Sequence, residues 1–249
     1  MSEAQAEGAV QDLPPGVYIV AGPIGNLGDI TIRALDCLRM VDRIACEDTR
    51  HTSRLLARYD IKKPLLSLHA HNEAQRTAEL ITRVREEGER IAYVSDAGTP
   101  GVSDPGERLV HRCIEAGVPY DVLPGPSAVV TAVVGAGLGA TPFFFGGFLP
   151  TKKGQRRTQL LAALERDCTT VFYESPHRLV STLEILCELS PERLITVARE
   201  LTKRFQEYRR TTSQEALAHY QERPPKGEIC LVVSPEKLPK WLKLGDVES

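Results

Sequence analysis

The chain lacks three things that would narrow its class at once: a long apolar run, paired cysteines and an excess of one charge. No apolar stretch reaches the length of a membrane-spanning helix, so no membrane partner is expected. The six cysteines (Cys37, Cys46, Cys113, Cys168, Cys187 and Cys230) stand singly inside apolar runs, which argues against disulfides or zinc and for buried thiols in a reducing compartment, the cytoplasm. With 31 Lys and Arg against 33 Asp and Glu, the net charge is −2. No global field draws such a chain to nucleic acid, and any polyanion site has to be a local patch. Residues 1–14 lack the basic start and apolar core of a signal peptide and are expected to form a frayed, disordered tail. Also missing are G-x-G-x-x-G, the Walker pattern, a G-x-S-x-G elbow, a cysteine in a polar loop, a metal set and internal repeats. Nucleoside triphosphate chemistry and hydrolysis through a Ser or Cys nucleophile are therefore not expected.

What is there suits an α/β protein: 249 residues with 42% hydrophobic content can build one large or two modest domains. The organising stretch is Ser95–Gly106, SDAGTPGVSDPG, directly after the apolar run Ile91–Val94. That run predicts a buried strand, and three glycines and two prolines then allow the backbone tight turns and close approach to a ligand. Asp96 and Asp104 offer acceptors to hydroxyl or ammonium groups. Asp104 is expected to cap a helix with Pro105 at its first position, Leu109, Val110, Cys113 and Ile114 on its buried face, and Gly117 as its stop. An elaborate structural turn is the alternative.

The same strand-then-loop arrangement repeats. Val17–Ala21 runs into GPIGNLGD and a helix with Ile32, Leu35, Leu38 and Val41 on one face. Arg43–Cys46 ends in Glu47-Asp48-Thr49-Arg50-His51-Thr52, with Thr49 as the expected cap. Leu65–Leu68 leads to His69-Ala70-His71-Asn72-Glu73, where Asn72 and Gln75 predict a capping box. The two histidines lack a third ligand at metal spacing and are read as facing substrate or solvent. Tyr120–Leu123 leads to Pro124-Gly125-Pro126-Ser127-Ala128. Five such units predict a parallel, doubly wound domain over residues 15–125.

A mixed-sheet domain is expected over residues 126–234, followed by a polar tail, 235–249, that holds the only tryptophan. Phe143–Phe148 leads into a loop carrying Lys152, Lys153, Arg156 and Arg157, and Thr169–Tyr173 into Glu174-Ser175-Pro176-His177-Arg178, with Ser175 as cap. Cations at a helix start oppose its dipole, so an anionic partner would account for both clusters, with a solvated linker as the alternative for the first. Leu194–Ala198 ends in Arg199–Lys203, Gln206–Thr212 reads as a charged extended edge, Ser213 as the cap of a short helix, and Ile229–Ser234 as the last strand. Because the clusters follow strands, they are expected at one sheet edge, beside a cleft between two domains. Carboxylates and backbone groups in tight loops suit a ligand with ribose hydroxyls, an amino-acid end and no phosphate.

Taken together, GPIGNLGDIT (Gly22–Thr31), CEDTRHT (Cys46–Thr52), the Ser95–Gly106 loop, LPGPSA (Leu123–Ala128), GFLP (Gly147–Pro150), FYESPHR (Phe172–Arg178) and RELTK (Arg199–Lys203) resemble one family. It is the small-subunit ribosomal RNA methyltransferase I branch of the tetrapyrrole methylase superfamily, and the resemblance runs colinearly from Val17 to Ser234, departing at Gly22, Ala70 and Gly101. It implies the two-domain class III methyltransferase fold, S-adenosylmethionine as methyl donor, a homodimer, and 2'-O-methylation of a cytidine in 16S rRNA near the decoding site. By motif it implies Ile24, Asp96, Thr99, Ser127, Ala128, Tyr173 and Ala198 as donor contacts. Glu47 or His71 is the candidate base, Arg50 and Arg178 are candidate phosphate holders, and Lys152, Lys153, Arg156 and Arg157 are candidate RNA contacts. A precorrin, uroporphyrinogen or diphthine-type methylase, and a cofactor-binding module without catalysis, remain as alternatives.

Overall fold

The computed structural model describes residues 12–104, 106–238 and 242. Most of both expected tails, with the tryptophan, and Pro105 at the expected first helical position lie outside the described residues. The chain divides into two compact units between Ser127 and Ala128.

The first unit alternates strand and helix: β1 (Gly16–Val20), α1 (Ile32–Met40), β2 (Arg43–Cys46), α2 (Thr49–Arg58), β3 (Leu65–Ser67), α3 (Glu73–Thr82), β4 (Arg90–Val94), α4 (Gly106–Ala116) and β5 (Tyr120–Leu123). The strands form one sheet in the order β3-β2-β4-β1-β5, and every pairing is parallel. Period-two alternation explains why both faces are covered. Tyr18 and Val20 of β1 join Ala34, Leu38 and Leu55 on one face, while Val17 and Ile19 join Leu80, Leu109 and Cys113 on the other. A parallel sheet delivers every following loop to one edge, and that edge carries the polar motifs.

The second unit comprises α5 (Ala128–Ala136), β6 (Phe143–Phe148), α6 (Lys153–Leu164), β7 (Thr169–Glu174), α7 (Leu179–Leu189), β8 (Leu194–Arg199), β9 (Glu207–Thr212), α8 (Ser213–Glu222) and β10 (Ile229–Val233). Its sheet, β6-β7-β10-β8-β9, is mixed, with β6 parallel to β7 and the remaining pairs antiparallel. Ile229, Leu231 and Val233 of β10 face a core shared with α6, α7 and α8, and α5 packs against β8 and β10.

The element types match the sequence reading, but several termini and faces do not. Asp48, not Thr49, caps α2, because its carboxylate lies one residue earlier and accepts from Arg50 N. Asn72 makes no capping bond, since its side chain turns back to bridge His69 N and Ser67 O. Helix α7 starts at Leu179 rather than at Pro176, the intervening residues forming a turn in which Ser175 Oγ accepts from His177 N. Thr212, not Ser213, caps α8, in a reciprocal box with Glu215. Ile32 and Ile114 point to solvent, because the buried faces of α1 and α4 are carried by Ala34, Cys37 and Leu38, and by Leu109 and Cys113.

Candidate functional site

The loops after β4, β1 and β5 are side by side because their strands are neighbours. Gly22 N donates to Gly98 O at 2.8 Å and Gly98 N to Pro23 O at 3.3 Å, so the first two loops are stitched together. Gly98 sits at φ +73°, and a Cβ there would stand 3.2 Å from Ile24 Cγ2 and 3.4 Å from Pro126 O. A side chain there would be strained by the positive φ and would press on the other two loops, which favours glycine. Thr99 Oγ1 donates to Pro126 O at 3.5 Å, which brings Ile24, Thr99 and the segment ending at Ser127 into one neighbourhood.

The two aspartates of the organising loop have different uses. Asp104 Oδ1 accepts from Gly101 N at 2.6 Å and Gly106 N at 2.9 Å, so this carboxylate holds the loop and caps α4, as its position predicts. Asp96 Oδ1 accepts from Asp48 N at 3.1 Å, the residue that follows Glu47. The ends of β2 and β4 are thereby tied, and Glu47, directly after β2, is half-buried. Burial pushes the Glu47 carboxyl above its ordinary range, and the Asp96 and Asp104 charges push it further. A carboxylate raised in this way is a better proton acceptor near neutral pH than a solvated glutamate.

Arg50 is exposed and folds back on its own turn, with Nη2 at 2.9 Å from Asp48 Oδ2, and it holds the Asp48 carboxyl down to about 2. His71 is exposed in the turn between β3 and α3, its ring 5.9 Å from that of His69. No group of three or more His, Cys, Asp or Glu among the described residues could hold a metal ion.

In the second unit, Tyr173 of β7, Cys230 of β10 and Ala198 of β8 lie directly abreast, which points all three side chains to one face of the sheet. Cys230 Sγ contacts Ala128 O at 3.9 Å, so the start of α5 lies over the same row. The three second-unit donor candidates are thus grouped around one buried thiol, whose pKa burial raises to about 12. Burial thus disfavours the nucleophilic thiolate of Cys230. Tyr173 also packs its ring against Phe145 at 4.9 Å and Phe148 at 5.2 Å.

The sequence-nominated cations are dispersed by the fold. Lys152 and Lys153 at the start of α6 are exposed and enter no ion pair among the described residues. Arg157 Nη1 pairs with Glu188 at 2.6 Å across to α7. Arg156 is only 5% exposed, and its Nη2 donates to Ser181 Oγ at 3.2 Å. Arg178 reaches inward, where it pairs with the fully buried Glu174 carboxylate at 2.8 Å and donates to Leu149 O at 3.0 Å. Glu174 also accepts from Thr182 Oγ1 and Ser175 N, each at 2.6 Å. Arg178 therefore ties the GFLP loop to the start of α7.

Sequence reasoning missed the bond from Asp48 N to Asp96, for which strand adjacency was the needed signal, and the place of Cys230 between Tyr173 and Ala198, hidden inside an apolar strand. It also passed over Phe205, an aromatic in a charged segment with no apolar partner beside it in the sequence.

Comparison with known proteins identifies the family and the fold. The family of tetrapyrrole (corrin/porphyrin) methylases matches residues 16–217. The ribosomal RNA small subunit methyltransferase I of Thermotoga maritima is 48% identical, covering 88% of this chain and 97% of that one, and the protein of the same name from Synechocystis sp. is 47% identical over 90% and 82%. Among solved structures, uroporphyrin-III-C-methyltransferase from Thermus thermophilus superposes with a TM-score of 0.64 at 25% identity, covering 88% of this chain and 94% of that one. Diphthine synthase superposes at 0.69 with 14% identity, over 90% and 91%, a likeness of fold alone. The chain belongs to the tetrapyrrole methylase family and, within it, to the group of the ribosomal RNA small subunit methyltransferases I.

Proposed function

We propose that this protein transfers the methyl group of S-adenosylmethionine to the 2'-oxygen of a cytidine in small-subunit ribosomal RNA near the decoding site. The observation that carries the reading is the half-buried Glu47 at the carboxyl edge of a parallel sheet, beside the bond from Asp48 N to Asp96, where burial and the Asp96 and Asp104 charges make its carboxyl a better proton acceptor. Identity above 40% to relatives named for this class of substrate, over most of both chains, supports it. When bound, S-adenosylmethionine supplies a methyl group already activated by its sulfonium.

The residues fit that donor. Tyr173 and Ala198 share one face of the second sheet with Ala128 over the same row, and Ile24, Asp96, Thr99, Ser127, Ala128, Tyr173 and Ala198 are the proposed contacts. In this reading, Asp96 accepts from donor hydroxyl or ammonium groups, Ile24 and Tyr173 supply apolar walls, and Glu47 takes the 2'-hydroxyl proton, with His71 as the second candidate. Positioning carries much of the rate, since the methyl group needs no further activation. Lys152 and Lys153 are the proposed phosphate contacts, with Arg50 exposed enough to exchange Asp48 for a phosphate. A homodimer is proposed on the exposed apolar side chains of Tyr120 and Val122 in the first unit and Val130 and Val134 in the second. Free thiols at all six cysteines suit the cytoplasm.

Labelled donor and small-subunit RNA test the reading. Transfer to RNA is expected, and RNA carrying 2'-deoxycytidine at the target should bind but accept no label. Label on the deoxy substrate would show that the acceptor is not the 2'-oxygen.

A further inference from the structure

The segment after β8 is built more rigidly than a connection needs to be. Glu200 and Thr202 both sit at positive φ, 52° and 64°, a conformation that a β-branched threonine strongly resists. Surrounding bonds hold it there. Glu200 Oε1 accepts from Lys203 Nζ at 2.9 Å and from Glu228 N at 3.0 Å, Lys203 also pairs with Glu228 at 3.1 Å, and Thr202 N donates to Gln206 Oε1 at 2.6 Å. Leu201 is buried beneath. A Cβ on Gly227 would stand 2.2 Å from Glu200 Oε1, so the neighbouring turn is shaped to the same clasp. This strained frame presents two residues outward: Phe205, 64% exposed, and Arg204, whose guanidinium lies 5.4 Å from the Phe205 ring and enters no ion pair among the described residues. Residues 199–210 carry five cations against two carboxylates, in a protein whose net charge is −2.

We propose that Phe205 and Arg204 form a stacking platform for one unpaired base of the RNA substrate, with the guanidinium on the adjoining phosphate. The proposal rests on the reading that RNA is the substrate, and adds a contact that the basic loop at Lys152 and Lys153 does not supply. Single-stranded RNA is recognised through aromatic faces and arginine planes, since every unpaired base offers a π-face. An exposed phenylalanine beside an arginine free of carboxylates matches that chemistry better than it matches a dry protein interface, which depletes charge at its centre.

Binding of a fluorescent, unstructured oligouridine to the full chain tests it. Phe205→Ala should weaken binding by roughly five- to a hundredfold, the usual effect of losing one stacked base, whereas Phe205→Trp should retain it. Arg204→Gln should lower the slope of log affinity against log salt by about 0.7, one phosphate. Circular dichroism and thermal melting should be unchanged in all three. Equal binding by Phe205→Ala and the parent would overturn the platform while leaving methyl transfer to RNA intact. A change in sedimentation of Phe205→Ala with no change in RNA binding would overturn it in favour of a contact between copies. If the parent binds no RNA and methylates none, the substrate reading itself fails.

Discussion

In the first unit the carboxylates of Glu47 and Asp96 stay at the open edge of a parallel sheet, and Asp96 is held by the backbone N–H of Asp48, beside the neighbouring strand's end. In the second unit the arginines that looked most like ligand contacts turn inward: Arg178 onto the buried Glu174, and Arg156 onto Ser181. Both regions read in sequence as charge after a strand. The difference is what surrounds the charge. A carboxylate satisfied by backbone donors keeps lone pairs for a ligand, whereas a guanidinium that finds a buried carboxylate is committed to the fold.

The largest expected effect separates chemistry from structure. Glu47→Gln should slow single-turnover methyl transfer by about 10²- to 10⁴-fold, the range for losing a general base, with donor affinity unchanged by calorimetry. Its stability should run the other way. A carboxyl whose folded-state pKa is raised stabilises the fold fully below its unfolded pKa and loses that contribution as pH rises through the folded one, so the neutral glutamine should melt no lower than the parent at pH 7.

Arg178→Ala should do the reverse, costing about 3–5 kcal/mol in denaturant titration by stranding Glu174. A surface phosphate contact would instead leave the midpoint unchanged. Asp96→Ala should weaken the donor about ten- to a hundredfold, a charge-assisted hydrogen bond being worth roughly 1.5–3 kcal/mol. Unchanged affinity would remove Asp96 from the donor site. The smallest effect belongs to Lys152→Gln with Lys153→Gln. This pair should flatten the salt dependence of RNA binding by about 1.4 to 1.8, and adding Arg156→Gln and Arg157→Gln should deepen it little, because one arginine is buried and the other is paired.

The sequence made the alternation of strands and helices legible because each strand's apolar run is bounded by glycine, proline or charge, and the parallel topology followed from the helices between strands. It also exposed Asp104 as a cap. It misplaced the caps at Thr49, Asn72, Ser175 and Ser213, since a side chain one residue away or a bond back to a strand end outcompetes the local pattern. The grouping of Tyr173, Ala198 and Ala128 around Cys230 depends on antiparallel register between segments far apart in the chain, which no local pattern encodes. The inward turn of Arg178 was equally hidden, because its partner Glu174 lies only four residues away and reads as another exposed charge.

The pH dependence of single-turnover methyl transfer, in the parent and in Glu47→Gln, tests the central claim most directly. The account predicts a rate that rises with pH through a carboxyl titration above the usual glutamate value, and a variant whose residual rate lacks that limb. A limb that persists unchanged in Glu47→Gln would assign the proton to another group and contradict the account.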